Sequence, residues 1–317
     1  MQNRTKKVVL GVVGPTASGK TALSLPLAQA LHAEILCMDS MQIYRGMDVG
    51  TAKPTVQERA LVPHHLLDLL SPQDAFSVTQ YADAARPLLD ALPCPMLVGG
   101  TGLYLQALSL PMDFGTVGGD EKIREKYHAL ADTQGKGALH ALLAARDPAT
   151  AARLHENDVR RVVRALEVLD LTGVPLSRQS MPGPEASPYD FQLYAIAWPR
   201  EALYARVDAR VEAMLQSGLR EEVAALLRSG VTPEAQSMQG LGYKEMVPVL
   251  RGEATVRQAA ELIKTRTRHY AKRQLTWFQR DARITWLPAQ PDMSVYLKPI
   301  IARYRAAAGG TPCIFKP

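Results

Sequence analysis

The octapeptide Gly14–Thr21 constrains the fold of this 317-residue chain more than any other segment. It reads G-P-T-A-S-G-K-T and fits the phosphate-binding pattern G-x-x-x-x-G-K-[ST] at every fixed position. An apolar run, Val8–Gly14, precedes the loop, and Thr21–Leu31 has helical character. Strand, glycine loop and helix are therefore expected in this order.

Each part of this loop has a chemical reason. Glycines allow backbone N–H groups to approach phosphate oxygens, the helix N-terminus adds partial positive charge, and Lys20 adds a full charge. The Thr21 hydroxyl can hold Mg²⁺. The sequence therefore predicts a site for a diphosphate or triphosphate. The expected diphosphate-binding residues are Gly14, Pro15, Thr16, Ala17, Ser18, Gly19, Lys20 and Thr21.

Strand and helix patterns alternate after the loop. Ala33–Met38 and Pro95–Val98 read as buried strands, Val78–Leu92 reads as a helix between them, and Phe191–Trp198 reads as a later strand. This alternation predicts a parallel sheet with helices on both faces, as in P-loop NTPase-like α/β proteins.

The pattern between Glu121 and Thr172 is helical only. Its clearest helix, Asp158–Thr172, has one apolar stripe and stops at Gly173. The stripe consists of Val159, Val162, Val163, Leu166 and Leu169. We expect an α/β core of residues 1–112 and 190–317, interrupted by a helical insertion of residues 113–189.

The positive charge of the chain is concentrated. The net charge is +6, and the segment Thr255–Arg283 alone contains eight basic and two acidic residues, a balance of 8 − 2 = +6. Such a concentration is typical of a surface that binds nucleic acid phosphates. No run of eighteen apolar residues occurs, so a membrane span is not expected.

Three cysteines, Cys37, Cys94 and Cys313, are far apart and form no C-x-x-C pair. This spacing predicts neither a zinc site nor a disulfide framework and suits a reducing cytoplasm. We expect a cytoplasmic monomer.

One carboxylate is expected at the ligand-binding edge of the sheet. A kinase usually carries an acid at the end of a later strand to order Mg²⁺, but here that strand ends in Gly99-Gly100-Thr101-Gly102. The acid follows the second strand instead, as Asp39. In parallel sheets, ligands bind at this carboxyl edge.

Several motifs together resemble one family. Asp39 opens D-S-M-Q-I-Y-R-G-M-D-V-G-T-A-K-P, which is followed by P-H-H-L-L-D, and later by G-G-T-G-L-Y, N-D-V-R-R-V-V-R-A-L-E-V, G-L-G-Y-K-E and Y-A-K-R-Q-L-T-W-F. In this order and spacing they closely resemble the bacterial tRNA dimethylallyltransferases of the IPP transferase family, from about residue 8 to 285. The zinc finger of eukaryotic relatives is missing. The last thirty residues match no motif, and we expect a loosely ordered tail.

The resemblance implies an activity. A dimethylallyl group would pass from dimethylallyl diphosphate to the exocyclic N6 amine of the adenosine at tRNA position 37, beside the anticodon, with release of diphosphate. Mg²⁺ would be the cofactor, and the tRNA anticodon stem-loop the partner. The implied catalytic residues are Asp39 as general base, Thr101 near the amine, and Lys20 and Arg210 on the diphosphate. Arg206 lies four residues from Arg210 on the same helix face and could serve instead.

Further residues are implied in tRNA binding. They are Asp39, Ser40, Met41, Gln42, Thr101, Arg124, Arg160, Arg161, Val162, Val163, Arg164 and Arg280, together with the basic segment Thr255–Arg283. Trp277 is a candidate for stacking on a base, although a core position suits it equally. The pair His64-His65 has the wrong spacing for a metal site, and no chemistry is assigned to it.

Two other functions would also use the phosphate-binding loop Gly14–Thr21. A P-loop small-molecule kinase would need ATP and usually an arginine-rich lid, a part that the helical insertion could play. A non-catalytic, GTPase-like RNA-binding switch would need a guanine-reading N-K-x-D motif, which the sequence lacks.

Overall fold

A computed structural model describes residues 6–109, 119–179 and 186–309. Cys313 and the expected boundary between residues 112 and 113 lie outside these ranges. The strands are β1 (Lys7–Val13), β2 (Glu34–Met38), β3 (His64–His65), β4 (Pro95–Gly99), β5 (Tyr189–Ala197) and β6 (Ile284–Pro288). The helices are α1 (Lys20–Leu31), α2 (Val56–Leu61), α3 (Val78–Ala91), α4 (Gly102–Ser109), α5 (Glu121–Gln134), α6 (Lys136–Arg146), α7 (Pro148–Ala151), α8 (Val159–Thr172), α9 (Arg200–Gln216), α10 (Leu219–Arg228), α11 (Tyr243–Leu250), α12 (Val256–Phe278) and α13 (Leu297–Ala307).

The chain divides into two compact units. One consists of Met1–Ser109 with Ser187–Pro317, and the other of Leu110–Ala186. None of the described helices combines the length and the apolar character needed to cross a membrane.

A parallel sheet forms the centre of the larger unit. Its strand order is β3-β2-β4-β1-β5-β6, and every recorded pairing is parallel. Apolar side chains make the inner strands nearly fully buried, as expected for a sheet covered on both faces. The predicted α/β fold class is confirmed.

The register of three neighbouring strands positions the site. Val13 at the end of β1 lies opposite Gly99 of β4, and Gly99 lies opposite Met38 of β2. The segments that follow these strands therefore leave the sheet side by side. They are the glycine loop, the turn at Asp39, and Gly100-Thr101.

The C-terminal region is more ordered than the sequence predicted. Helix α13 packs on α1, and its Ile300 and Tyr304, one turn apart, are 2% and 3% exposed. Strand β6 also adds to the sheet edge beside β5. The expectation of a loosely ordered tail is therefore wrong for residues 293–307.

The smaller unit is helical among its described residues, with a core shared by α5, α6 and α8. Helix α8 ends at Gly173, whose φ of 68° gives the left-handed C-cap that glycine favours. Val162 and Val163 are 0% and 3% exposed in this core. The apolar stripe that forms the helix thus buries both side chains, and their expected contact with tRNA stays a prediction.

A buried carboxylate organises the arginines of this unit. The Glu167 side chain is fully buried and forms ion pairs with Arg124 at 2.8 Å and with Arg164 at 2.7 Å. It also accepts a hydrogen bond from the Asp120 amide. These partners lower the pKa of Glu167 against the opposing effect of its burial. Two of the arginines implied in tRNA binding are therefore engaged within the protein.

Candidate active site

The glycine loop has the backbone shape of a phosphate cradle. Gly14, Ala17 and Gly19 have φ values of 131°, 61° and 91°. These values turn the chain so that α1 begins at Lys20 without a side-chain cap. The first N–H groups of a helix have no partner within the helix, so they are free to bind an anion.

Three side chains hold the three consecutive residues 16–18 of the loop. The Thr16 amide donates to Oε1 of Gln274 (2.9 Å), Nε of Arg206 donates to the Ala17 carbonyl (2.8 Å), and Nε1 of Trp198 donates to the Ser18 carbonyl (2.8 Å). The Thr16 amide therefore already has a partner, so the phosphate-binding donors begin further along the loop. The Ser18 hydroxyl is buried and has no hydrogen-bond partner in the structure.

Lys20 lies over the loop. Its Nζ donates to the Gly14 carbonyl (3.2 Å) and the Pro15 carbonyl (2.7 Å). Burial lowers its pKa to about 8; the Arg210 charge adds to this shift, and the Asp39 carboxylate opposes it. These two carbonyls offer the ammonium group only partial negative charge, whereas a bound phosphate would offer full negative charge.

Arg206 and Arg210 both line the cavity but have different hydrogen-bond partners. Arg206 donates to the Ala17 carbonyl of the loop, and its guanidinium lies 4.4 Å from the centre of the Trp198 ring. Arg210 donates to the Thr51 carbonyl (3.1 Å), and burial lowers its pKa while Asp39 raises it. Asp39 is thus within electrostatic reach of both Lys20 and Arg210. The guanidinium of Arg206 is thus engaged with the glycine loop, whereas Arg210 is buried near Lys20 and Asp39.

Asp39 begins a tight turn at the end of β2. Its Oδ1 accepts a hydrogen bond from the Met41 amide (2.9 Å), and no described residue donates a hydrogen bond to its Oδ2. The Thr101 hydroxyl accepts from the Ser40 amide (3.2 Å), and the Thr101 amide donates to the Met38 carbonyl (3.1 Å). The structure thus brings together the two residues predicted to meet the amine.

Gln42 is fixed from both ends. Its Nε2 donates to the Thr51 and Ala52 carbonyls at 3.1 and 3.2 Å, and its Oε1 accepts from Sγ of Cys37 at 3.1 Å. The Thr51 carbonyl also accepts a hydrogen bond from Arg210. One backbone oxygen therefore connects Gln42, which is predicted to bind the base, to Arg210, which is predicted to bind the diphosphate.

The turn around Gly50 depends on a distant glutamate. The Glu222 carboxylate accepts hydrogen bonds from three successive amides, those of Asp48, Val49 and Gly50, at 2.8–3.0 Å. It also accepts from the Tyr243 hydroxyl (2.7 Å). Any Cβ at Gly50 would lie 2.5 Å from the Tyr243 ring, so only glycine fits.

A cavity of about 750 Å³ joins these groups. Its volume is within the range of small-molecule sites. The cations that line it are Lys20, Arg206, Arg210, Lys244 and Arg273, and the carboxylate that lines it is Asp39. Thr16, Ala17, Gly19, Thr21, Ser40, Met41 and Gln42 also line it. The site is cationic, with a single acid beside the cradle.

The basic segment is less available than the sequence predicted. Half of its eight cations form ion pairs with nearby carboxylates: Lys264 with Glu212 and Glu261, Arg266 with Glu245, Arg268 with Asp208, and Arg283 with Asp281. The pairs of Lys264 with Glu212, Arg266 with Glu245 and Arg268 with Asp208 connect α12 to α9 and α11. Arg280 is exposed, and no ion pair is recorded for it within the described part of the chain.

The histidine pair forms an edge strand. His65 Nε2 lies 2.6 Å from Glu34 Oε2, and His64 Nδ1 lies 2.7 Å from the Val62 carbonyl while the residue lines the cavity. No group of three His, Cys, Asp or Glu residues that could hold a metal ion occurs within residues 6–109, 119–179 and 186–309. Trp277 is 39% exposed and packs against Gly102, where any Cβ would lie 2.2 Å from its ring.

Sequence reasoning did not single out Gln274, Glu222 or Trp198. Gln274 lies within the motif Y-A-K-R-Q-L-T-W-F, so the motif itself was an available signal. Nothing near Glu222 in the sequence indicates its three amide partners, because these are more than 170 residues away.

Two family models match the chain. The model described as "IPP transferase" matches residues 42–281, and the one described as "Isopentenyl transferase" matches residues 7–64. A tRNA dimethylallyltransferase of Bacillus subtilis is 44% identical over 300 residues, 93% of this chain and 95% of that protein. That of Symbiobacterium thermophilum is 48% identical over 280 residues, 87% of this chain and 88% of its own length.

Solved structures of similar proteins carry the same family description. The tRNA isopentenylpyrophosphate transferase of Bacillus halodurans is 39% identical, with a TM-score of 0.71 over 96% of this chain and 99% of its own. A eukaryotic dimethylallyltransferase described as acting on tRNA is 29% identical, with a TM-score of 0.77 over 95% of this chain and 78% of its own.

Proposed function

The chain belongs to the IPP transferase family, and from that premise we propose that it transfers a dimethylallyl group from dimethylallyl diphosphate to N6 of adenosine 37 in tRNA, releasing diphosphate. One observation carries the proposal: Asp39 faces a cavity that also contains the glycine cradle, Lys20 and Arg210. A proton acceptor and a diphosphate site in one cavity are what this displacement needs. A kinase is less suited, because β4 ends in Gly99 followed by Gly100, without an acid.

The reaction first requires that the negative charge of the departing diphosphate is stabilised. Breaking the allylic C–O bond leaves positive charge on the resonance-stabilised carbon and negative charge on the diphosphate. The N-terminal amides of α1, Lys20 and Arg210 stabilise this growing negative charge. Lys20 would exchange its loop carbonyls for phosphate oxygens, which offer full negative charge.

Magnesium fits the same place. The Thr21 hydroxyl lines the cavity beside Lys20 and supplies an oxygen ligand of the kind that Mg²⁺ prefers. When bound there with the substrate phosphates, Mg²⁺ would neutralise diphosphate charge.

The reaction also requires that the attacking amine is oriented and loses a proton. An adenine amine is a weak nucleophile, since its lone pair is delocalised, and it must lose a proton as the C–N bond forms. Asp39 takes that proton at its free carboxylate oxygen, while the Met41 amide holds the other oxygen in place. Thr101 and Gln42 orient the base.

The tRNA must present that base. Extruding a stacked anticodon-loop base costs about a few kcal/mol, which contacts to the flanking phosphates offset. The exposed Arg160, Arg161 and Arg280 are suited to such contacts. We propose that one chain suffices, because this chain alone supplies the cradle, the acid and the clamp, and that the reaction takes place in the cytoplasm.

Product analysis tests the proposal. Unmodified tRNA is incubated with the protein, Mg²⁺ and dimethylallyl diphosphate, and its nucleosides are analysed by mass spectrometry. We expect one adenosine per tRNA, at position 37, to gain a dimethylallyl group, with one diphosphate released. Transfer of a labelled γ-phosphate from ATP to a small molecule, with no prenylated adenosine, would favour the kinase.

Binding of the donor should depend on pH through Lys20. The lysine pKa is about 8 in the free protein, so Lys20 loses its charge as pH rises through 8. The terminal phosphate, with a second pKa near ~6, is already ionised there. The dissociation constant of dimethylallyl diphosphate, measured calorimetrically without tRNA, should therefore rise towards about tenfold per pH unit above pH 8. The Lys20→Met variant should bind weakly with no such rise, and a flat wild-type profile up to pH 9.5 would contradict the assignment.

Arg160 should contribute one phosphate contact. We expect Arg160→Ala to weaken tRNA binding and to reduce the slope of log K against log salt by about 0.7–0.9. Arg160→Lys is the matched control, since it retains the charge and should retain the slope. Arg164→Ala should instead lower the unfolding free energy by about 1–3 kcal/mol, because it takes a partner from buried Glu167. An unchanged salt slope in Arg160→Ala would mean that this arginine does not bind phosphate.

A further inference from the structure

Gln274 connects the two halves of the cavity. Its side chain lies on α12, is 6% exposed, and makes one hydrogen bond at each end of its amide. Oε1 accepts from the Thr16 amide of the glycine loop (2.9 Å), and Nε2 donates to the Gly100 carbonyl (2.8 Å).

Each partner belongs to a different reactant's site. Thr16 is part of the loop that the proposed function assigns to the diphosphate. Gly100 precedes Thr101, whose hydroxyl accepts from the Ser40 amide next to Asp39. Two hydrogen bonds of Gln274, the Gly100-Thr101 backbone and the Ser40–Thr101 hydrogen bond therefore connect the diphosphate loop to the residues beside the amine.

The local sequence accommodates this bridge. A Cβ at Gly100 would lie 2.3 Å from Nε2 of Gln274, so a glycine is required for the side chain to approach the backbone. A lysine or arginine at position 274 could donate at both ends but could not accept from the Thr16 amide. Glutamine both donates and accepts in one short, planar group.

We propose that Gln274 is a positioning residue, which fixes the distance between the diphosphate and the adenine amine by tying the glycine loop to the Gly100-Thr101 turn. This inference rests on the proposed function. The reacting carbon and the amine must approach to about 3–3.5 Å, and a displacement of about 1 Å can cost roughly 10²-fold in rate. Gln274 touches neither reacting atom and acts through the two backbone segments that it holds.

Loss of the bridge should affect catalysis more than binding. Gln274→Met has a similar length but keeps neither hydrogen bond. We expect its single-turnover rate to fall about 10–100-fold, with the dissociation constants of dimethylallyl diphosphate and of tRNA changed less than about threefold. A looser alignment should also let water compete with the amine. Water would then form the C–O bond of dimethylallyl alcohol as the diphosphate leaves and would release one proton, and we expect the ratio of this alcohol to prenylated adenosine to rise.

Two further variants make the test specific. Gln279→Met is the control, since Gln279 is exposed at the end of the same helix and should behave as wild type. In Gly100→Ala the added Cβ would lie 2.3 Å from Nε2 of Gln274 and 3.1 Å from the Gly14 carbonyl oxygen, so it displaces the same bridge and should reproduce the loss of rate and the increased hydrolysis. The double variant Gln274→Met/Gly100→Ala should be no worse than Gly100→Ala alone, because both changes break one connection.

The outcomes are separable. If wild-type protein forms no prenylated adenosine, the proposed function fails. If wild type is active but Gln274→Met and Gly100→Ala keep its rate and its product ratio, the inference about Gln274 is overturned. A fall in donor affinity equal to the fall in rate, without added hydrolysis, would also overturn it, since Gln274 would then serve diphosphate binding alone.

Discussion

Turnover of the Asp39→Asn variant is expected to fall by about 10²–10⁴-fold, while its affinity for tRNA stays within about twofold of wild type. Asparagine still accepts the hydrogen bond from the Met41 amide, so the turn after β2 keeps its anchor. It cannot accept the proton that the adenine amine releases, and removal of a general base typically costs this range of rate. Single-turnover formation of prenylated adenosine and equilibrium binding of tRNA measure the two effects separately.

The control for Asp39 is Asp83→Asn, which removes a carboxylate from the exposed face of α3 and should leave both quantities unchanged. A rate for Asp39→Asn within tenfold of wild type would show that another group or bulk water accepts the proton.

The Arg210→Met variant is expected to show the second largest effect, a fall of about 10²–10³-fold in kcat/KM for dimethylallyl diphosphate. In the proposed mechanism Arg210 faces the departing diphosphate, and removing one donor to a developing anion typically costs this much. Because its charge also lowers the pKa of Lys20, the variant should lose donor affinity at a higher pH than wild type does. Steady-state kinetics and donor titrations between pH 7 and 9.5 measure both effects.

Arg206→Met provides the comparison for Arg210. Arg206 already donates to the Ala17 carbonyl of the cradle and lies over the Trp198 ring. We expect a smaller loss in kcat/KM, about tenfold or less, and no upward shift of the pH at which affinity declines. An Arg206 effect larger than that of Arg210 would reverse the two roles.

The sheet and the glycine loop could be predicted from the sequence, because both depend on local patterns. The glycine loop fixes its own backbone through Gly14 and Gly19, and apolar runs such as β4 leave few alternatives to a buried parallel strand. Asp39 could be placed near the loop from topology alone, since neighbouring parallel strands end at one edge of the sheet.

The remaining parts depend on contacts that no local pattern encodes. Gln274 reaches Thr16 across 258 residues, and Glu222 organises a turn about 170 residues earlier in the chain. Charge counting also could not reveal that Lys264, Arg266 and Arg268 form ion pairs with carboxylates on neighbouring helices. An excess of cations in a sequence thus does not show which of them already have an anionic partner.

The central claim is that the glycine cradle holds the diphosphate while Asp39 faces the amine of an extruded adenine. A crystal structure of Asp39→Asn with a tRNA anticodon stem-loop, Mg²⁺ and an unreactive thio-analogue of dimethylallyl diphosphate tests it most directly. We expect the diphosphate oxygens to contact Lys20, Arg210 and the first amides of α1, and N6 of adenine 37 to lie within hydrogen-bond distance of residue 39. A diphosphate bound away from the cradle, or an adenine that remains stacked in the loop with residue 39 facing only solvent, would contradict the claim.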